Sequence, residues 1–226
     1  MIRVRRLVAL AALIAVAASS GVGAHQRPRT PAAAKKAPAP KPVASKTGTP
    51  QIKCPSLLGM GVKTIRSFCD VPAGRDPAQG VVITLPPHAG AATLQFDLHA
   101  RHTYSEELTK SGKGYARYRA IVGVLSMKGD LIERAAVASE FRAAADLFDR
   151  IGGGAGPGGV KAVAPIGDEQ VFVTIPAGVD EVSLLGETLD AITPAGHETA
   201  VMPGRPVAIV SNVLVEYKPA APARRR

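Results

Sequence analysis

Residues 92–101 alternate without a break: Ala92, Leu94, Phe96, Leu98 and Ala100 on one parity, and Thr93, Gln95, Asp97, His99 and Arg101 on the other. A helix would scatter the two sets around its circumference, whereas a strand places them on opposite faces. The segment predicts a half-buried strand with a solvated outer face. An isolated strand has no stability of its own, so the pattern commits the chain to a sheet packed on another apolar layer. Further strands are predicted at 80–85, stopped by Pro86-Pro87, and at 115–127, 160–164, 169–175, 180–185 and 207–217. Turn residues separate many of them: Pro165-Ile166-Gly167, Pro176-Ala177-Gly178 and Pro203-Gly204-Arg205-Pro206. The expected fold is mainly β, an antiparallel β-sandwich of jelly-roll or immunoglobulin-like type.

One segment reads differently. Asp130 and Glu133 form a capping-box pattern, and Val137, Phe141, Ala144, Phe148 and Ile151 recur at helical spacing in an alanine-rich stretch ended by Gly152. Local chemistry predicts one helix at about 130–151. The competing reading is a hairpin turning at Lys128-Gly129-Asp130, with a return strand over 131–141.

Both ends of the chain differ from its middle. Arg3, Arg5 and Arg6 precede an apolar run from Leu7 to Ala18, and Val22-Gly23-Ala24 supplies the small residues a signal peptidase reads. The run is too short to span a bilayer, so residues 1–24 are expected to be a cleaved signal peptide. Residues 25–50 repeat Pro, Ala and Lys and contain no acidic or aromatic residue, the composition of a disordered, extended tether. Residues 51–218 form the single expected domain, and 219–226 a basic tail ending Arg224-Arg225-Arg226.

The positive charge belongs to those ends. Residues 1–50 hold nine lysines and arginines and no acid, and 219–226 hold three arginines. Of 28 basic and 18 acidic residues the stretch 51–218 therefore keeps 16 and 18, close to neutrality. A basic groove for nucleic acid is not expected. Weak contact of the tails with anionic membrane or wall polymer is the electrostatic alternative to a merely solubilising role.

Cys54 and Cys69 are the only cysteines, and in an exported chain they are expected to pair as a structural disulfide. Candidate chemistry is sparse. The tract Gly152–Gly159 contains a literal G-x-G-x-x-G, but it leads into a predicted strand rather than the helix a dinucleotide site requires. Asp97 and His99 share a strand face and His88 precedes it, offering oxygen and nitrogen ligands for a metal such as zinc; His102 falls on the opposite parity. No G-x-S-x-G elbow occurs, Ser111 has no local base, and the adjacent Glu106-Glu107 do not oppose one another across a substrate. No cofactor is implied. Tyr115, Arg117 and Arg119 lie on one face of a predicted strand with Tyr104 nearby, and tyrosine and arginine are enriched at recognition surfaces.

The sequence thus leads to a secreted or periplasmic, non-catalytic module that binds or scaffolds an envelope protein or polysaccharide. A carbohydrate-binding accessory domain is the first rival; an exported metal-dependent hydrolase built on His88, Asp97 and His99 is the second. The export reading has a direct test. N-terminal sequencing of exported protein should begin His25-Gln26-Arg27-Pro28, and recovery of Met1 in a membrane fraction would contradict it.

Overall fold

A computed structural model describes residues 43–151, 163–200 and 202–221. The expected leader, most of the expected tether and the tract Gly152–Gly159 lie outside the described residues. Twelve strands are found: β1 (Lys46–Gly48), β2 (Gln51–Lys53), β3 (Leu57–Met60), β4 (Ser67–Pro72), β5 (Val81–Thr84), β6 (Ala92–Thr103), β7 (Ala116–Ser126), β8 (Leu131–Phe141), β9 (Val163–Ile175), β10 (Glu181–Thr193), β11 (Gly196–Ala200) and β12 (Pro206–Tyr217). One short helix, α1 (Glu106–Lys110), is capped by the Ser105 hydroxyl accepting from the Leu108 amide.

The strands make two antiparallel sheets. One has the order β3-β4-β12-β6-β9 with β1 added beside β12; the other has β2-β5-β10-β7-β8 with β11 added beside β10. Without the short edge strands, four strands (β4, β12, β6, β9) face four (β5, β10, β7, β8). Three consecutive pairs among the described strands, β3–β4, β7–β8 and β10–β11, are hairpins within a sheet; from β4 onward the chain otherwise crosses between sheets. That double-sheet winding is a jelly roll, which selects it over the immunoglobulin-like alternative.

Strand parity builds the core. Leu94, Phe96 and Leu98 of β6 meet Val122 and Val124 of β7, Leu184 of β10 and Val210 and Val215 of β12 in one apolar layer. Each such side chain contributes roughly 1.5–3 kcal/mol by leaving water. The two runs predicted at 160–164 and 169–175 belong to one strand, β9, which passes through Gly167 at φ 63° with a break in register opposite Leu98–Ala100. A left-handed residue inside a strand is the place for a glycine.

The helix expected at 130–151 is instead β8 followed by a single 3-10 turn at Ala144–Asp146. Pairing decides it: β8 runs antiparallel to β7 from Leu125↔Leu131 to Ala116↔Phe141. Ala135, Val137 and Phe141 enter the core on strand parity. Gly129 makes the connecting turn at φ 89°, and the Ser126 hydroxyl accepts from the amides of Lys128 and Asp130. Alanine's helical preference is a few tenths of a kcal/mol per residue, less than a full strand's pairing and burial supplies.

Part of the stretch read as tether is a strand, since Lys46–Gly48 pairs with Val215–Tyr217. Cys54 and Cys69 are bonded, with Cα atoms 5.8 Å apart. The bond joins the end of β2, in one sheet, to the inward side of β4, in the other. A loop of this length stabilises by about 3 kcal/mol in the chain-entropy account. Replacing both cysteines by serine should lower unfolding stability by about that amount, read as an earlier denaturant midpoint that no longer responds to reductant.

Candidate functional site

The outer face of β6 is where the sequence places a solvated surface, and the structure covers it. Asp97 and His99 are buried, as are Asp70 of β4 and Ser211 of β12 on the same face. The cover comes from 61–66 and 142–151, whose Phe148 packs at 4.6 Å from the His99 ring and edge-on to Phe68. Phe68, Ile151 and Ile209 form a second, smaller apolar cluster there. Asp149 holds the cover together: its carboxylate accepts from the amides of Lys63 and Thr64 at 2.9 Å and from the Thr64 hydroxyl at 2.5 Å. Burial pushes the Asp149 carboxyl up, but these bonds outweigh it and hold the group below the usual carboxylate range.

The buried polar side chains of β4, β6 and β12 under that cover all have partners. Asp97 accepts from Arg66 at 2.7 Å and from the Asn212 amide at 3.0 Å; Asp70 accepts from Arg101 at 2.8 Å and from the Ser56 hydroxyl at 3.2 Å. His99 Nδ1 lies 2.8 Å from the Gly167 carbonyl, which can only accept, so Nδ1 carries the proton. Nε2 then accepts from the Ser211 hydroxyl at 2.8 Å. Burial holds the His99 pKa below the ordinary imidazole value, and burial together with nearby Asp97 raises that of Asp168. A serine hydroxyl on the accepting nitrogen of a histidine resembles an activated nucleophile. Here Ser211 is 2% exposed beneath the aromatic cover, so the pair is closed to a substrate in this conformation.

His88 is not brought to Asp97 and His99. Its Nδ1 lies 3.0 Å from the Pro86 carbonyl and 3.9 Å from Asp180, and its segment pairs with Pro219. Among the described residues no cluster of three or more His, Cys, Asp and Glu side chains is placed to hold a metal.

Of the four residues read as a recognition surface, three come together. Tyr115, Arg117 and Arg119 project outward at the start of β7, while Ala116, Tyr118 and Ala120 face the core. Arg117 stands opposite Glu140 and Ile192, and Arg119 opposite Ala138 and Asp190. The neighbouring carboxylates are engaged elsewhere, Glu140 with Arg142 and Asp190 with His197. Arg117 and Arg119 have no ion-pair partner among the described residues, unlike Arg66, Arg101, Arg134, Arg142 and Arg205. Tyr104 does not join them. It is buried edge-on against Phe141, with the Arg150 guanidinium over its ring at 4.7 Å and donating to its hydroxyl at 3.0 Å.

A site the sequence does not single out lies at one end of the sandwich. The ends of β6 and β10, helix α1 and the β10–β11 turn enclose a cleft of about 360 Å³. Two ion pairs flank it, Arg101 with Asp70 and Arg205 with Glu198. Leu108, Leu189, Ala191 and Pro194 supply apolar wall, and Tyr118, whose hydroxyl donates to the Val207 carbonyl, is also in the lining. Burial raises the Tyr118 pKa and keeps it a neutral donor. His102 lines the same cleft, 8% exposed and tilted against Phe141 at 4.6 Å. Neither of its ring nitrogens has a hydrogen-bond partner among the described residues. Parity alone turned His102 inward; that the strand ends there at an open cleft depends on strands distant in sequence.

No protein-family model matches the chain, and no curated protein is significantly similar to it. Among solved structures, the infectious bursal disease virus VP2 subviral particle is 15% identical at TM-score 0.22, covering 80% of this chain and 36% of its own. A D431N mutant VP2 of that virus and its Gx strain give 13% and 17% identity at TM-scores of 0.20 and 0.19, with 44% and 40% of those chains covered. The chain thus spans less than half the length of each, and likenesses this slight say nothing of function.

Burial lowers the pKa of His102 from 6.5 to about 4, and that of His99 also falls. Below pH 6.5 the unfolded chain takes up protons that the folded chain refuses, so stability declines as pH falls from there to about 4. For His102 the full loss is about 3 kcal/mol. Denaturant midpoints should therefore drop between neutral pH and about 4, and His102→Phe should flatten that slope, leaving the share due to His99.

Proposed function

We propose that the chain is an exported, non-catalytic jelly-roll module that binds a carboxylate-bearing component of the envelope or extracellular matrix through Tyr115, Arg117 and Arg119. One observation carries the reading. These two arginines are exposed on an outer strand face with no ion-pair partner among the described residues, whereas five other arginines of the domain each hold a carboxylate. An unpaired guanidinium offers a planar fork of donors that suits a carboxylate, and an adjacent exposed tyrosine adds rigid contact area. The strand sets the spacing: alternate residues lie about 6.6 Å apart, within reach of successive charges on an acidic polymer.

The near-neutral balance of residues 51–218 limits the partner. Long-range attraction to a dense polyanion such as nucleic acid is weak, so recognition rests on short-range pairing at two positions. The disulfide between the sheets fits an oxidising compartment. Among the described residues no helix is long and apolar enough to cross a membrane.

Full-length protein should bind immobilised polygalacturonate with an affinity that falls as salt rises. Arg117→Ala with Arg119→Ala should weaken binding about tenfold, roughly 1.4 kcal/mol, while Arg134→Ala, which removes a paired arginine, should leave it unchanged. Equal binding by the double variant would overturn the proposal, since the tails are present in every protein compared.

A further inference from the structure

We infer that the end cleft binds an uncharged, hydroxyl-rich small molecule, a saccharide unit in chemical class, with the His102 imidazole as its anchoring hydrogen-bond partner. This site is separate from the Tyr115–Arg117–Arg119 face and does not depend on it.

His102 is the first ground. It is more than nine-tenths buried and lines the cleft, yet no described residue bonds either ring nitrogen. Among the other described histidines, His99 bonds Gly167 and Ser211 and His197 bonds Asp190, while His88 bonds the Pro86 carbonyl through Nδ1 and keeps a buried, unpartnered Nε2 that is not in the lining of this cleft. A buried polar group without a protein partner takes one from whatever occupies the space beside it. The ring stays neutral at physiological pH, its pKa being about 4, and a neutral imidazole offers one donor and one acceptor. A hydroxyl is the complement because it also donates and accepts. A carboxylate or phosphate oxygen only accepts, and an ammonium only donates.

The charge balance points the same way. Each guanidinium on the wall already holds a carboxylate, Arg101 with Asp70 and Arg205 with Glu198, so among the described residues the cleft has no unpaired cation to draw an anion. On the wall the guanidinium groups of Arg101 and Arg205 keep further N–H donors and the Glu198 carboxylate keeps acceptor positions, which vicinal hydroxyls can use together and a lone anion cannot. The C–H faces of a sugar ring would lie against Leu108, Leu189 and Pro194. The volume of about 360 Å³ corresponds to ~12 waters, room for a sugar unit with a substituent.

The test is a titration of full-length protein carrying ¹⁵N-labelled histidine. The ligands are glucose, N-acetylglucosamine and its trimer, set against inorganic phosphate and glucuronate. A neutral sugar should shift the His102 ring-nitrogen resonances saturably. His102→Phe should weaken that binding about tenfold or more, and His102→Gln, which keeps a donor and an acceptor, should retain most of it. Binding of the free monosaccharide assigns the site to soluble sugars; binding of the trimer alone assigns it to a glycan chain. Arg117→Ala with Arg119→Ala should leave the sugar titration unchanged, which separates this site from the acidic-polymer surface. No saturable shift with any neutral sugar would overturn the inference. So would shifts from phosphate and glucuronate alone, or sugar binding that leaves the His102 ring undisturbed. The wild-type ring signal decides even if the phenylalanine variant fails to fold.

Discussion

A carboxylate moved out of water must find a cation or a set of donors, and one sheet of this protein buries two of them on one face, on strands separated by β12. Asp70 and Asp97 sit on the outward face of β4 and β6, where a two-layer sandwich ordinarily meets solvent. Their burial is tolerable only because Arg101 and Arg66 reach over the sheet to them and Ser56 and Asn212 occupy remaining acceptor positions. Removing either arginine would leave an uncompensated buried charge, typically a loss of 3–5 kcal/mol. Arg66 belongs to the covering segment itself, so the same ion pair that satisfies Asp97 also anchors the lid over it. The jelly roll thereby gains a third layer over part of one sheet, made of loops and clasped by Asp149.

That third layer explains what strand parity reveals and what it leaves hidden. The alternation at 92–101 sorts the side chains of β6 correctly into two faces, including the inward turn of His102. It says nothing of what covers the polar face, because Phe148 and Arg66 arrive from positions far along the chain. The same blindness affects 130–151. Alanine spacing there suits a helix, and only the long register with β7 makes it a strand. Phe148 and Ile151, read as helix positions, instead contribute to the outer cluster. The local turn chemistry at Gly129 was the available signal for the hairpin. The disulfide was readable from cysteine count and export, since two cysteines allow one pairing. The end cleft was not, because its walls come from the ends of strands that become neighbours only when the sheets close.

The electrostatics separate the two candidate surfaces by kind. On the outer face of β7 the guanidinium groups are exposed and have no ion-pair partner among the described residues, so the affinity proposed there would come from charge and be sensitive to salt. In the cleft they are already neutralised, and the selectivity inferred for it would come from hydrogen-bond direction and shape. The two surfaces therefore favour different chemistry, and occupation of one does not require the other. If both proposals hold, such a module would carry an acidic polymer along its side while accepting a sugar unit at its end.

The covalent bond between Cys54 and Cys69 also has a mechanical meaning. Tension arriving along the N-terminal segment first meets β1, three residues paired at the margin of one sheet, and then β2, equally short. Both can peel away one bond at a time. The next residue along is Cys54, and there the load passes through sulfur to β4, which lies between β3 and β12. Further extension would have to shear β4 out of its neighbours with many bonds strained together, a far more resistant geometry than unzipping. The disulfide thus acts as a stop: the domain can give up a few residues of slack to a pulling partner without surrendering its core.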